Sequence, residues 1–378
     1  MLKKLSLAAI VAMGSMSIAS ASTDLSEAIQ GVTLGGFLRY RYTESNTKNH
    51  KADGSDNANK TLNEYKAVVN TNIKATDEVS IHNRFVYVNK FYSNNSDSNT
   101  EAPKPFNVRE AYINYSANGL NVHAGLQALA TPLSDHDDDY ANAVLATYTI
   151  NAVTLAGAYA NEVSKATGQA TSQNMDVLGL IANVAPAKLQ AWFYSLSDTN
   201  DNSKDGKYSA FVEAAANLGP VVVKAQYAQA KTDADNAKTQ KFGALAVVSS
   251  VANVNVTAAY LNFGKNGSEV RAGLTNADAL IAAGDILTDA IQQTGFSDGW
   301  GGALVLSTKV DKFTPGVQYV HATINDGKDV ANEYDFDLAY QYSKKLKFSG
   351  YYVFLKENGK NLGNINKTQG RFEAKYSF

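Results

Sequence analysis

The sequence predicts an all-β fold: a closed transmembrane antiparallel β-barrel of about eighteen strands, sixteen being the alternative count, with short periplasmic turns and long extracellular loops. Three observations predict it. Apolar and polar residues alternate with a period of two through successive segments of about ten residues, the length of a strand tilted across a bilayer. Long polar connections and tight turns alternate along the chain. The chain also opens on the pattern of an export signal.

That opening reads MLKKLSLAAIVAMGSMSIASA. Lys3 and Lys4 make the basic head, residues 5–18 the apolar middle, and Ala19-Ser20-Ala21 the small-residue cleavage site. Residues 1–21 are therefore expected to be removed, leaving 22–378 as a single barrel domain. No uninterrupted apolar run elsewhere reaches the roughly 18 residues of a spanning helix. Next comes Asp24-Leu-Ser-Glu27, where Asp24 can cap a helix and Glu27 stands three residues on. A short helix over 24–29 is predicted.

From Val32 the period changes to two. Leu34, Leu38, Tyr40 and Tyr42 fall on one face, Arg39 and Arg41 on the other. Long Asn/Asp/Ser/Lys-rich stretches then recur at 44–61, 93–105, 131–142, 162–173, 198–206, 231–239, 264–299, 325–332 and 358–368. Between them lie pairs of strands with tight turns at 76–78, 118–119, 151–152, 185–186, 218–219, 249–252, 311–314 and 343–345. Asn118-Gly119 is a strong two-residue hairpin signal. Nine long connections and eight short ones frame an even number of strands. Collecting every long loop on one rim suits a barrel between two compartments, and gives a soluble sandwich no advantage.

The chain ends RFEAKYSF, with Phe372, Ala374, Tyr376 and Phe378 alternating with polar positions. Termini fray unless something ties them down. This segment is expected to pair with the first strand near 35–42 and so remove both sheet edges.

In the last third, Tyr334, Phe336, Leu338, Tyr340 and Tyr342 share one face, and Asp335, Asp337 and Gln341 the other. Leu346, Phe348, Tyr352 and Phe354 likewise oppose Lys347, Ser349 and Tyr351. A barrel of this strand number is too wide for side chains to fill, so its lumen is aqueous and the apolar stripes face lipid. Tyr40, Tyr42, Tyr87, Tyr112, Tyr115 and Tyr376 suit aromatic girdles. Two segments, 177–184 and 245–251, are apolar or small on both faces and suit a subunit contact.

Composition narrows the function. Hydrophobic residues make up 44% and charged ones 19%, the latter below the roughly 25% of a soluble domain. The 34 basic groups, less Lys3 and Lys4, leave 32 against 36 acidic, a mature net charge of -4 that argues against nucleic acid. Cysteine is absent, which excludes disulfides, thiolate catalysis and thiolate metal sites.

The third long loop, ALATPLSDHDDDYAN, carries Asp135, Asp137, Asp138 and Asp139 around His136. One reading is an inward loop presenting a cation-favouring constriction, another a solvated surface loop. A third is a Ca2+ ion on Asp135, Asp137 and Asp139, because oxygen-rich clusters suit that cation. No other cofactor is expected. Arg39, Arg41, Arg84, Lys224 and Arg371 lie on the polar faces of their strands, with Glu110, Asp335, Asp337 and Glu373 as the opposing charges. Lys375 and Glu213 point the same way. Opposed rows of this kind would set the potential in a pore. Arg109 breaks the alternation beside Glu110, which predicts a bulge. Gly295-Phe-Ser-Asp-Gly299 spells a nucleophile elbow without strand–helix context or an assignable His. No constellation supports an enzyme. Apolar spacing over 276–293 predicts a helix in the seventh loop, on the barrel mouth or a neighbouring subunit.

VTLGGFLRYRY (32–42), VREAYINYSANGLNVHAGLQ (108–127) and the terminal KYSF together resemble Gram-negative general porins. The chain is most similar to the Campylobacter-type major outer membrane porin family. The resemblance implies an outer-membrane homotrimer of eighteen-stranded channels with modest cation preference, an inward third loop and periplasmic termini. By position, Asp135–Asp139 would be that loop, and Phe378 the terminal aromatic read by the barrel-assembly machinery. The expected function is passive diffusion of ions and small hydrophilic solutes. The alternatives are a substrate-specific channel, or a surface adhesin or structural barrel.

Overall fold

A computed structural model describes residues 31–49, 58–94, 106–137, 139–164, 173–198, 207–231, 238–271, 274, 277–289, 291, 296–360 and 363–378. The predicted signal (1–21) and helix (24–29) lie outside the described residues. The rest forms one antiparallel sheet of eighteen strands. Its first half comprises β1 (Val32–Asn49), β2 (Ala58–Lys74), β3 (Val79–Asn94), β4 (Asn107–Ala117), β5 (Leu120–Ala128), β6 (Tyr140–Ile150), β7 (Val153–Ser164), β8 (Gln173–Val184) and β9 (Ala187–Asp198). The second comprises β10 (Lys207–Leu218), β11 (Val221–Lys231), β12 (Gln240–Val251), β13 (Val254–Phe263), β14 (Gly299–Thr308), β15 (Phe313–Ile324), β16 (Asp329–Gln341), β17 (Leu346–Gly359) and β18 (Gly363–Ser377).

Each strand pairs with its chain neighbours, and β1 pairs with β18, so the sheet closes. The seam runs from Phe37 opposite Ser377 to Asn49 opposite Ile365. Phe378 exchanges backbone hydrogen bonds with Gly36, at 3.1 and 3.2 Å. The terminal alternation is thus a closing strand, as predicted. Closure removes the unpaired N–H and C=O groups that hydrocarbon cannot solvate.

All eight tight turns lie on one rim. At Asn118-Gly119 both residues have positive φ, 51° and 81°, as a two-residue hairpin matching strand twist requires. On the other rim, two predicted loops contract. β15 and β16 are joined by 325–328 alone, and β17 runs to Gly359 before β18 begins at Gly363. The first loop shrinks too, since β1 extends to Asn49 and β2 starts at Ala58. These strands continue past the apolar band, where their outer faces need no grease, so the polar sequence reads as loop although the ladder persists. The predicted bulge is present: the register of β3 on β4 shifts between Arg84 and Phe85, skipping Arg109.

The faces sort as a membrane barrel demands. On β16, Tyr334, Phe336 and Leu338 are 49–54% exposed on the outside, while Glu333 and Asp335 between them are 0% and 1% exposed inside. Leu38, Tyr65, Ile113, Leu245, Leu304 and Phe372 continue the outer apolar surface. Tyr112 departs from the predicted girdle. It follows the bulge, so its ring stands inside, between His82 and His123, with centroids 4.9 and 4.7 Å away.

The lumen is not wet throughout. Tyr194, Phe211, Phe242 and Leu261 point inward and are fully buried. They pack with Leu129 and Leu133 of the third long connection (129–139) and with Val270, Leu274, Leu280 and Ile291 of the seventh (264–298). This explains the two-sided apolar character of 177–184 and 245–251: Val177 and Ala246 are buried on the inside, and Leu178 and Leu245 face the outside. The predicted helix over 276–293 is reduced, among the described residues, to one turn at Leu287–Asp289. Its apolar spacing serves the inner wall instead of the barrel mouth.

Candidate functional site

The third connection is folded by its own polar side chains. The Ser134 hydroxyl donates to the carbonyls of Leu129 and Thr131. The Asp139 carboxylate, 1% exposed, accepts from the Asp135 N–H at 2.8 Å, and the Asp135 carboxylate from the Asp137 N–H at 2.8 Å. Asp137 instead reaches the opposite wall, 2.7 Å from Arg84 and 3.9 Å from Lys66. Burial raises the affinity of Asp137 for its proton, but Lys66, Arg84 and Arg39 outweigh that and hold its carboxyl below the usual range. Asp138 lies outside the described residues. The acidic run therefore divides its work: two carboxylates shape the loop and one bridges the lumen. Among the described residues, no group of three or more His, Asp or Glu side chains is placed to hold a metal ion. Asp135, Asp137 and Asp139 do not converge as a Ca2+ site requires.

Beside Asp137 runs a wall of alternating charge on β18, β1, β2, β3 and β4. Arg39 contacts Glu64 at 2.5 Å and Glu373 at 4.0 Å, and Arg41 contacts Glu373 at 2.6 Å and Glu64 at 3.9 Å. Lys90 lies 3.8 Å from Glu64, and Glu110 lies 3.7 Å from Arg84 and 3.5 Å from His82. These pairings follow from register: Arg41 stands between Glu64 on β2 and Glu373 on β18. Cross-strand neighbours on one face are close enough to pair directly. Arg371 is different. Its Nε donates to the Thr43 hydroxyl at 3.2 Å, and its guanidinium lies 5.0 Å from the centre of the Tyr351 ring.

The far wall belongs to the seventh connection. Gln226 of β11 donates to the Ala279 carbonyl and accepts from the Ile281 N–H, at 2.7 and 2.8 Å. Gln318 of β15 accepts from the Gly284 N–H at 3.2 Å, and the Glu333 carboxylate from those of Ile286 and Leu287, both at 2.8 Å. Asp335 accepts from the Asp285 N–H at 3.1 Å. Gly284 has φ 85°, and an added Cβ would lie 2.6 Å from Glu333 Oε1. Only glycine lets the chain come so close. Burial, with Asp337 and Asp335 alongside, pushes Asp285 up to about 7. The two connections also join: the Ala279 N–H donates to the Pro132 carbonyl, and the His136 N–H to the Asp278 carboxylate, at 3.2 and 3.1 Å.

The sequence-predicted residues fall into three places. Arg39, Arg41, Arg84, Glu110, Arg371 and Glu373 line the charged wall around Asp137. Asp335 and Asp337 lie under the seventh connection. Lys224 sits apart on β11, 3.3 Å from Glu213. Sequence reasoning missed Glu64, Lys66 and Lys90, although Glu64 and Lys66 share the inward parity of β2; what singles them out is the register that sets them opposite Arg41 and Arg39. Asp285 gave no signal, since its partners come from β16.

Residues 1–191 match the family model described as the Campylobacter major outer membrane protein. No curated protein matches the chain by sequence. The barrel is similar to the solved structure of Pseudomonas aeruginosa OccK7 (OpdD), with a TM-score of 0.68 at 11% identity over 92% of this chain and 98% of that one. Acinetobacter baumannii OccAB4 gives 0.68 at 12% identity, over 91% and 98%. Pseudomonas aeruginosa OpdK with vanillate gives 0.67 at 12%, over 91% and 98%. At such identities the likeness is one of fold.

Proposed function

Because the chain belongs to the Campylobacter major outer membrane protein family and lies in the outer membrane, we propose that it is a passive channel for ions and small hydrophilic solutes. One observation carries this reading. Among the described residues, the apolar clusters that seat the inserted connections run round the lumen as far as β17, where Leu287 packs with Ala331 and Leu355, while β18 and β1–β4 carry no member of them and present the paired charges of the wall beside Asp137. Solutes pass along that side, past the bridge from Asp137 to Arg84 and Lys66.

Cation preference is modest in this reading because most charges are matched. Arg39, Arg41 and Arg84 are paired with Glu64, Glu373 and Asp137, whereas Asp335, Asp337 and Asp285 face Arg371. A homotrimer in lipid, with Phe378 as the mark read by the assembly machinery, completes the proposal. No catalytic group takes part in it.

The experiment is conductance in planar bilayers with reversal potential under a salt gradient. Ohmic steps with a small cation bias are expected, and Asp137→Asn should reduce that bias by removing a negative charge from the path beside Arg84 and Lys66. A reversal potential unmoved by Asp137→Asn would remove this residue from the conducting path. An absence of steps would favour an adhesin or structural barrel.

A further inference from the structure

The inner wall at β15–β18 holds a cavity of about 420 Å³. Four of its residues stand at one height on consecutive strands: Gly316 opposite Asp337, Asp337 opposite Tyr351, and Tyr351 opposite Arg371. Gly316 leaves the wall hollow there, since an added Cβ would press on the Asp337 Cβ at 3.3 Å. Below the row lie Ala339 and Ser349, which keep the floor open.

The two charges in this row, Asp337 and Arg371, differ from the paired ones of the wall beside Asp137. Arg39, Arg41 and Arg84 each contact a carboxylate within 4.0 Å. Among the described residues Arg371 contacts none. Its Nε is fixed by Thr43 and its plane rests on Tyr351, which holds a preformed fork for a carboxylate. Among the described residues Asp337 contacts no basic group either, and the Asp285 carboxyl of the seventh connection lies against it. The Asp337 Oδ2 accepts a hydrogen bond from the Gln318 amide, at 3.1 Å. Two strand spacings, about 10 Å, separate the backbones of Asp337 and Arg371, so the charges face one another without meeting. Lys347, also in the lining, adds positive potential to the recess.

An oriented pair of opposite charges across a small polar hollow is complementary to a molecule carrying the reverse pair. We propose that this recess is a resting site for small zwitterionic solutes, amino acids above all. Their carboxylate lies on Arg371 and their ammonium on Asp337. This rests on the channel reading and gives it a preferred solute class. A singly charged molecule of the same size satisfies one end and leaves the other charge unpaired, so the site discriminates by charge pattern more than by shape.

The test is block of single-channel current by L-alanine, compared with acetate and methylammonium, each of which carries half of its charge pattern. Saturable block at millimolar L-alanine is expected, with neither half matching it at the same concentration. Arg371→Gln and Asp337→Asn should each weaken that block by about tenfold, the loss of one charge-assisted hydrogen bond, while conducting steps persist. The two residues sit on different strands, so if one variant yields no channels the other decides. Equal block by acetate, or block unchanged in both variants, overturns the proposal, as do steps that L-alanine never perturbs. Wild-type protein without any steps would overturn the channel reading, and this one with it.

Discussion

Gly36 and Phe378 meet at the barrel seam, where one residue's lack of a side chain lets two strand ends pair. A Cβ on Gly36 would fall 2.1 Å from the Val68 carbonyl oxygen and 3.0 Å from the Phe378 ring. The first is backbone and cannot turn aside. Gly36→Ala is therefore expected to lower stability by about 1–3 kcal/mol, the usual cost of overpacking, read as easier heat or urea unfolding in detergent. Asp285 is the other residue with a particular consequence. Its carboxyl shifts from an ordinary 3.8 to about 7 in the docked loop. In that window the docked loop keeps a proton that an undocked loop would release. Docking is thus strongest at low pH and weakens as pH rises through the window, reaching its limit above about 7. Glu333, Asp335 and Asp337 on β16 and Arg371 on β18 are the charges it faces. Open-channel noise should grow between pH 5 and 8, and Asp285→Asn should flatten that dependence; equal noise across the range in the unaltered protein would disprove the coupling.

At the scale of elements, the seventh connection decides how much of the lumen is open. It is held by hydrogen bonds from Gln226, Gln318, Glu333 and Asp335 and by apolar anchors such as Leu287, 1% exposed. Leu287→Ala should loosen it by about 2–5 kcal/mol, the range for a buried leucine truncation. The expected readout is larger or more variable conductance steps with the barrel still folded. Unaltered steps would mean that this connection does not limit the path. The spacing of Leu280, Leu287 and Ile291 was legible in the sequence, but its destination was not. Helical periodicity records that one side of a segment is buried, and it is silent on whether a helix or an irregular chain on a wall buries it. The polar ends of β1, β2, β17 and β18 were misread for a related reason: alternation reports the solvent, and beyond the hydrocarbon the solvent is the same on both faces.

For the whole molecule, the arrangement inverts a soluble protein on its outer surface and reproduces one inside. Leu245 stands near the middle of β12 on the outside, 47% exposed. Leu245→Arg should cost about 2–4 kcal/mol on folding into bilayers. The same change at inward Ser349 should leave folding nearly untouched and shift selectivity toward anions. If the two variants folded alike, the outer stripe would not be meeting hydrocarbon. Inside, the apolar cluster around Tyr194, Phe211 and Phe242 gives the inserted loops a dry seat, which lets a barrel too wide for wall side chains to fill still narrow its path.

The sequence by itself determined the antiparallel barrel, a strand number of eighteen or sixteen, the eight short turns, the bulge at Arg109 and the outward stripes. All of these depend on residues near one another along the chain, or on a period set by backbone geometry and solvent. The tertiary structure alone decided that Arg41 stands between Glu64 and Glu373, that Asp137 crosses to Arg84, and that Asp285 lies on Asp335. Such meetings depend on the register of strands hundreds of residues apart and on where a long loop comes to rest, and neither leaves a periodic trace in the chain.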